Sequence, residues 1–259
     1  MAEKCAWFIT LEEGNAAAQA AAAQLRPYGL PVKGQRWPNN EDNAWLASAQ
    51  EAAQANAALV VVVGSAAHYS KSAVQRDLSM FRLTLQTLLG RVVNGLTLLA
   101  GQTESVQQTR PGLLDDWQPA ADARWPVKAV ARAYAPVAPA WPVKLGLHAH
   151  ERLGIWLETH PAPGTTASGA LVGVAGNDAD ISFHAVGAAG KLPERTVNEY
   201  ALEGLKFNVD EVDFNAWAVQ NKVGPNESYF VRLEGKPSYL ALGTLPGGEV
   251  DDLHILRLG

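Results

Sequence analysis

Cysteine is nearly absent: Cys5 is the single one among 259 residues. No internal disulfide can form, and a reducing compartment suits such a chain. Charge is also sparse, at 18% of residues, with a formal balance of −5. The basic residues are scattered, and no run of them would track a phosphate backbone, so there is no electrostatic ground for a nucleic-acid partner. Uncharged apolar runs are only a few residues long, far short of the ~20 that a membrane-spanning helix needs. Glu3 and Lys4 precede a short apolar run that ends at Glu12 and Glu13, too short and too acidic for a signal peptide. These absences predict a cytoplasmic protein with no membrane and no nucleic-acid partner. There is also no G-x-G-x-x-G or Walker pattern, no glycine elbow around a serine, and no Ser-His-Asp spacing that stands out.

What the chain does have is apolar material, 47% of residues, which fits a folded globular protein. Its length suits one large domain or two ordinary ones, either able to bury a core without staples. The organising stretch is AALVVVVGSAAHYSKSAVQRDLSM, from Ala57 to Met80. Residues 59–63 are apolar and mostly β-branched, as in a strand buried on both faces. Gly64 and Ser65 stop it, and a polar turn with His68, Tyr69, Ser70 and Ser72 follows. Val74, Leu78, Phe81, Leu85 and Leu88 then recur three or four apart, which is one face of a helix.

The same alternation surrounds this unit. Strands are expected at 5–11, 32–37 and 96–100, with helices at 16–25 and 44–55. Asn15 is the expected cap of the first helix, and Asp42 or Asn43 of the second. Gly90 is expected to interrupt or end the helix after the third strand. A β-α-β-α-β-α-β order implies a parallel sheet with helices on both faces, most simply a flavodoxin-like α/β arrangement with strand one central. In such sheets ligands sit at the carboxyl ends of the strands.

Prolines break up residues 102–142, where Trp-Pro-Val-Lys occurs twice, at 125 and 141. Residues 127–134 are expected to be extended, as a last strand of the first domain. Residues 135–142 then form a proline-stiffened boundary. From residue 143 the texture is β. Strands are expected at 143–148, 153–159, 170–175, 181–186, 214–219, 229–234, 239–242 and 253–258, with another at 206–209. Gly176-Asn177-Asp178, Gly235-Lys236-Pro237 and Pro246-Gly247-Gly248 are among the expected turns, and residues 228–243 read as a hairpin. The expected organisation is therefore an α/β domain over 1–134, a boundary at 135–142 and a mainly antiparallel β domain, sandwich or barrel, over 143–259.

The run VVVVGSAAHYSKSAVQRDL resembles the third strand and following helix of Toll/interleukin-1 receptor (TIR) domains and their bacterial relatives. Val60 to Val63, Ser65, Tyr69, Ser70 or Ser72, Val74, Asp77 and Leu78 occupy the family's positions. The opening strand Trp7-Phe8-Ile9-Thr10 and the acidic Glu12-Glu13 are similar as well, so the resemblance spans roughly residues 1–100. It implies a signalling module that self-associates or binds a partner, in the setting of bacterial defence. Enzymatic members cleave the nicotinamide bond of NAD with a helix glutamate, whose carboxylate serves the oxocarbenium-like ribose. The matching residue here is Asp77, one methylene shorter, and such a shift of about 1 Å can cost ~100-fold in rate. With Arg76 and Lys71 nearby, Asp77 also reads as a salt-bridged helix residue.

The candidate ligand-binding residues are Glu12, Gly64, Ser65, Tyr69 and Ser72, with Asp77 as the candidate catalytic residue. The small residues and turn amides suit a phosphate or a ribose. No cofactor is expected, NAD entering only as a ligand or substrate. His148 and His150 alternate along a strand and share a face, so both could reach one metal, but no third ligand among His160, His184 and Glu158 is specified and no second close pair is present; they read instead as a polar strand edge, and no metal is expected. The acid pairs Asp251-Asp252 and Glu211/Asp213 read as solvated faces beside turns. The functional expectations are a TIR-like binding or signalling module, or else an NAD- or nucleotide-processing glycohydrolase using Asp77. A third is a carbohydrate- or ligand-binding β domain with exposed Trp156 or Trp217, residues that otherwise belong to a core.

Overall fold

The computed structural model describes residues 3–14, 16–38, 43–101, 110–120, 122–137, 143–150, 152–195, 197–244 and 253–259. The chain divides into two compact units. One comprises Met1–Gln108 with Leu114–Ala138, and the other Thr109–Leu113 with Pro139–Gly259. The expected caps Asn15 and Asp42, most of the 135–142 boundary, the turn at Pro246 and the pair Asp251-Asp252 lie outside the described residues.

The first unit runs β1 (Cys5–Thr10), α1 (Ala16–Leu25), a 3-10 turn (Arg26–Tyr28), β2 (Val32–Arg36), α2 (Ala44–Gln54), β3 (Ala57–Ser65), α3 (Ala66–Tyr69), α4 (Ser72–Leu89), β4 (Asn94–Ala100), β5 (Gln118–Pro119) and α5 (Trp125–Tyr134). Its five described strands are all parallel, in the order β2-β1-β3-β4-β5. This is the flavodoxin-like α/β sheet. β3 lies inside it, between β1 and β4, and Ala57 to Val63 are buried without a break. A strand covered on both faces has no solvent side on which to place polar residues, which is why this run lacks alternation.

On one face α1 and α5 press thin alanine surfaces onto the sheet. Ala18, Ala21 and Leu25 meet Ala129, Ala133 and Trp125 over Phe8, Leu59, Val61 and Leu96. Small side chains let both helices lie close to the strands. On α4, Val74, Leu78, Phe81 and Leu85 are buried, and Gly90 ends the helix in a left-handed conformation at φ 66°, a C-cap that glycine adopts without Cβ strain. Asn43 stands at the N-cap of α2 but makes no side-chain capping bond.

One expectation fails here. Residues 127–134 are not extended; they belong to α5. Valines at 127 and 130 would suit a strand, but the buried residues Trp125, Ala129 and Ala133 recur every four. Pro126 sits in the first turn, where its missing N–H costs nothing. The last strand is instead the two-residue β5 beside β4.

The second unit contains β6 (Val143–His150), β7 (Gly154–Pro161), β8 (Ala167–Ala188), β9 (Leu202–Val209), β10 (Val212–Val223), β11 (Glu227–Gly243) and β12 (His254–Arg257). The order is β6-β7-β11-β8-β10-β9, with β12 also on β11, and every pairing is antiparallel. No helix occurs among its described residues.

Two expected turns are not turns. Residues 170–175 and 181–186 belong to the single strand β8, and the expected 228–243 hairpin is the single strand β11. The two turn-like sequences face each other across the ladder: Lys236 pairs with Asn177 and Pro237 with Gly176, with register shifts on either side. Gly235 (φ 67°) and Asp178 (φ 51°) take left-handed conformations there. A Cβ on Gly235 would lie 1.9 Å from the Asp178 carbonyl oxygen. Both segments therefore use their flexible residues for opposed bulges, which bend a ladder without reversing it. The 229–233 part of β11 pairs with β7, while the 239–242 part pairs with β12. Long strands shared between two sets of neighbours are how a sheet turns a corner.

Candidate functional site

In the first unit the strand order reverses between β1 and β3. β1 and β2 run to one side, and β3 to β5 to the other. The crevice beyond the carboxyl ends at such a point is where open α/β sheets bind ligands. Here the backbone continues the pairing past β1, with Leu11 N–H donating to the Val63 carbonyl at 2.9 Å. Gly64 keeps the two strand ends close, since a Cβ on it would lie 2.9 Å from the Leu11 Cβ. Glu12 and Ser65 then stand side by side.

Ser65 makes two bonds at this point. Its hydroxyl donates to Glu12 Oε1 and accepts the His68 backbone N–H at 3.1 Å, capping α3. His68 Nδ1 lies 3.5 Å from the same carboxylate oxygen. The hydrogen bond from Ser65 holds the Glu12 carboxyl below its usual range, against the opposing effect of burial, and the nearby imidazole adds to it. The Glu12 side chain is nevertheless 43% exposed. It is an ionised acceptor held in a fixed direction and open to a ligand.

A cleft of about 400 Å³ opens at these strand ends, lined by Thr10, Glu12, Gly14, Gly64, Gln24 and Trp125 among others. Trp125 Nε1 donates to Gln24 Oε1 at 2.8 Å, closing the α1–α5 side. Among its described lining residues Glu12 is the one charged group. An adjoining open groove of about 790 Å³ shares Thr10, Glu12 and Gly14 and adds Lys33, Arg36 and Glu13 beside β2. Arg36 pairs with Glu13 at 3.1 Å.

The other expected site residues fall elsewhere. Tyr69 lines a separate cleft of about 370 Å³ with Gln75, Thr97, Asp115 and Trp117. Ser72 is exposed at the start of α4. Asp77 lines none of these three clefts. Its Oδ1 accepts from Arg76 Nε and Nη2 at 3.0 and 2.9 Å, and its side chain is 32% exposed. Thus Glu12, Gly64 and Ser65 come together, whereas Tyr69, Ser72 and Asp77 do not join them. Sequence reasoning missed His68, Gln24 and Trp125 as members of the site. His68 had a signal, three residues after a capping serine; the other two depend on how α1 and α5 pack.

In the second unit His148 and His150 have separate partners. His148 Nε2 meets Glu158 Oε2 at 2.6 Å, and His150 Nδ1 accepts the Arg152 N–H at 3.1 Å. Glu158 is buried and also accepts from Ser228 Oγ at 2.6 Å and Gly190 N–H at 2.8 Å. Burial works to raise its pKa, and these hydrogen bonds outweigh it, so the carboxyl sits below its usual range. No group of three histidine, cysteine or acidic side chains arranged for a metal occurs among the described residues. Glu211 and Asp213 lie at the β9–β10 turn, where Asn208 bonds both, the Asp213 side chain and the Glu211 N–H. Neither family models, nor curated proteins, nor solved structures yield a match to this chain.

Proposed function

We propose that the chain is a binding and signalling module whose α/β unit takes a nucleotide-class ligand in the switch-point cleft. The observation that carries this is Glu12, an ionised carboxylate fixed by Ser65 and His68 at the mouth of that cleft. A carboxylate accepts several hydrogen bonds and suits the paired hydroxyls of a ribose. With no cation lining the cleft among the described residues, a base and sugar fit it better than a phosphate does. The adjoining groove, with Lys33 and Arg36, offers the phosphate its counter-charge. The cleft's size falls in the range of small-ligand sites, about 300–1,000 Å³. Asp77, held by Arg76 and away from this cleft, favours recognition over hydrolysis. Ligand binding is then read out through self-association or a protein partner, as the TIR resemblance implies.

Isothermal titration calorimetry with NAD and with adenosine tests the reading. Binding of at least one is expected, weakened at least tenfold by Glu12→Ala and unchanged by Asp77→Ala. Heat from neither ligand refutes it. Chromatography of NAD incubated with concentrated protein is expected to show no nicotinamide; its release, lost in Asp77→Ala, would instead establish the hydrolase. Light scattering over a concentration series, with and without ligand, tests the self-association arm.

A further inference from the structure

In the second unit, β6, β7, β11 and β8 bring His148, Trp156, Arg232 and Phe183 opposite one another in register. Directly paired residues share one side of a sheet. The next row on the same side is Gly146, Glu158, Phe230 and Ala185. Glu158, Phe230 and Ala185 are buried, because the chain after β8 lies over this row. Its Gly190 N–H bonds Glu158, and Pro193 sits 2.8 Å from where a Cβ on Gly187 would be.

Among the described residues the first row is more open, although only 15% of the His148 side chain is exposed. Phe183 is 45% exposed, and Leu153 at the β6–β7 turn is 49% exposed. Trp156 and Phe183 meet edge to face over β11, with centroids 5.7 Å apart at 73°. Trp156 Nε1 donates to the Leu153 carbonyl at 2.7 Å, which fixes the indole. The Arg232 side chain lies close over Gly154, within 3.0 Å of where a Cβ would be. Arg232 Nε is 3.3 Å from Glu234 Oε1, which also accepts from Ser182 Oγ at 2.7 Å.

The result is a preset aromatic ledge, walled on one side, on which Arg232 and Glu234 offset each other. An anion would meet Glu234 and a cation would meet Arg232, so the matching occupant is uncharged. It must also offer apolar faces to the rings and hydroxyls to the guanidinium and carboxylate. Sugars combine an axial C–H face with vicinal hydroxyls, and the guanidinium donates while the carboxylate accepts. The rings are already held, so little side-chain freedom is lost on binding. We propose that this ledge binds a neutral saccharide.

Native gel electrophoresis of the full chain, in gels containing hydroxyethylcellulose, laminarin, xylan, galactomannan or soluble starch, tests this. At least one polymer is expected to retard the protein. Trp156→Ala and Phe183→Ala are each expected to weaken retardation at least tenfold, with the circular dichroism spectrum retained. Trp156→Phe serves if the alanine variant does not fold, and is expected to keep part of the effect. Tyr200→Ala, which removes an aromatic ring 80% exposed elsewhere, is expected to change nothing. Retardation by none of the polymers overturns the proposal, as does retardation that survives Trp156→Ala and Phe183→Ala. A dimer in light scattering that Phe183→Ser dissolves would assign the ledge to a protein contact and overturn it as well.

Discussion

Replacing Glu158 by alanine should destabilise the second unit by about 3–5 kcal/mol, because it removes a buried carboxylate and leaves its hydrogen-bonded partners unpaired. The carboxylate takes three hydrogen bonds, from His148, Ser228 and the Gly190 amide. Ser228 Oγ also lies 3.2 Å from His160 Nδ1, but that nitrogen meets the Glu227 carbonyl at 2.7 Å and so donates rather than accepts. The Ser228 hydroxyl, His148 Nε2 and the Gly190 N–H therefore all lose their acceptor, and each buried polar group left unpaired costs about 1–3 kcal/mol. Glu158→Gln retains the shape and one acceptor, so about 1–2 kcal/mol is expected. Urea unfolding followed by circular dichroism reads the total. Hydrogen exchange at the Gly190 amide reads the local part, and an acceleration of about a hundredfold corresponds to ~2.7 kcal/mol. The pH dependence has a definite sign. The folded carboxyl lies below its ordinary value of 4.5, so its contribution is complete above that pH and fades as pH falls through the folded value. The glutamine variant should lack this loss. A Glu158→Ala effect under about 1 kcal/mol, with unchanged Gly190 exchange, would refute the idea that this network holds the connection after β8.

Three further outcomes are expected. Gly235→Ala should destabilise by at least about 2 kcal/mol, because its φ is positive and the new methyl meets the Asp178 carbonyl; Gly164→Ala, with open space around it, should cost only about 1 kcal/mol in the same denaturation assay. Burial depresses the pKa of His184, which is edge-on to Trp217 and bonded to the Tyr229 hydroxyl; the unfolded chain then takes up the proton first, so stability should fall as pH drops below about 6.5, and His184→Gln should flatten midpoints measured between pH 7.5 and 5.5. Cys5, buried with a raised pKa and donating to the Ala55 carbonyl at 3.2 Å, should react with a disulfide reagent only after urea unfolds the first unit.

Residue pattern carried the first unit well where one force decided the outcome. α1 begins at Ala16 and ends at Leu25 as its alanine run suggests, and β3 holds the apolar run entire. It misled where two forces competed. At Val127 and Val130 β-branched side chains favour extension, but Trp125, Ala129 and Ala133 gain more by packing on α1 and the sheet. At Gly176 and Gly235 the residues that permit a turn equally permit a bulge. Which one forms depends on whether a partner strand runs alongside, and the neighbour of each bulge is the other, some 60 positions away in the chain. Local sequence does not hold that information.

The site shows the same division. Asp77 was singled out by its place in a motif, but its position on α4 gives it Arg76 as its neighbour. Glu12 was singled out only as part of an acidic loop. Its role follows from register. β1 and β3 pair with a constant offset, Ala6 to Leu59 and Thr10 to Val63. Two residues further along both strands, the same offset of 53 brings Glu12 to Ser65. In a parallel pair, residues at matched positions stay matched until one chain turns away. β3 turns at Ser65, whose hydroxyl caps α3 while it donates to Glu12. The carboxylate is therefore aimed by the last hydrogen-bonded step of the sheet, and the cleft it faces is the one the strand order opens. A change in β1 length by one residue would shift that match and separate the pair, even with Glu12, Ser65 and His68 all still present.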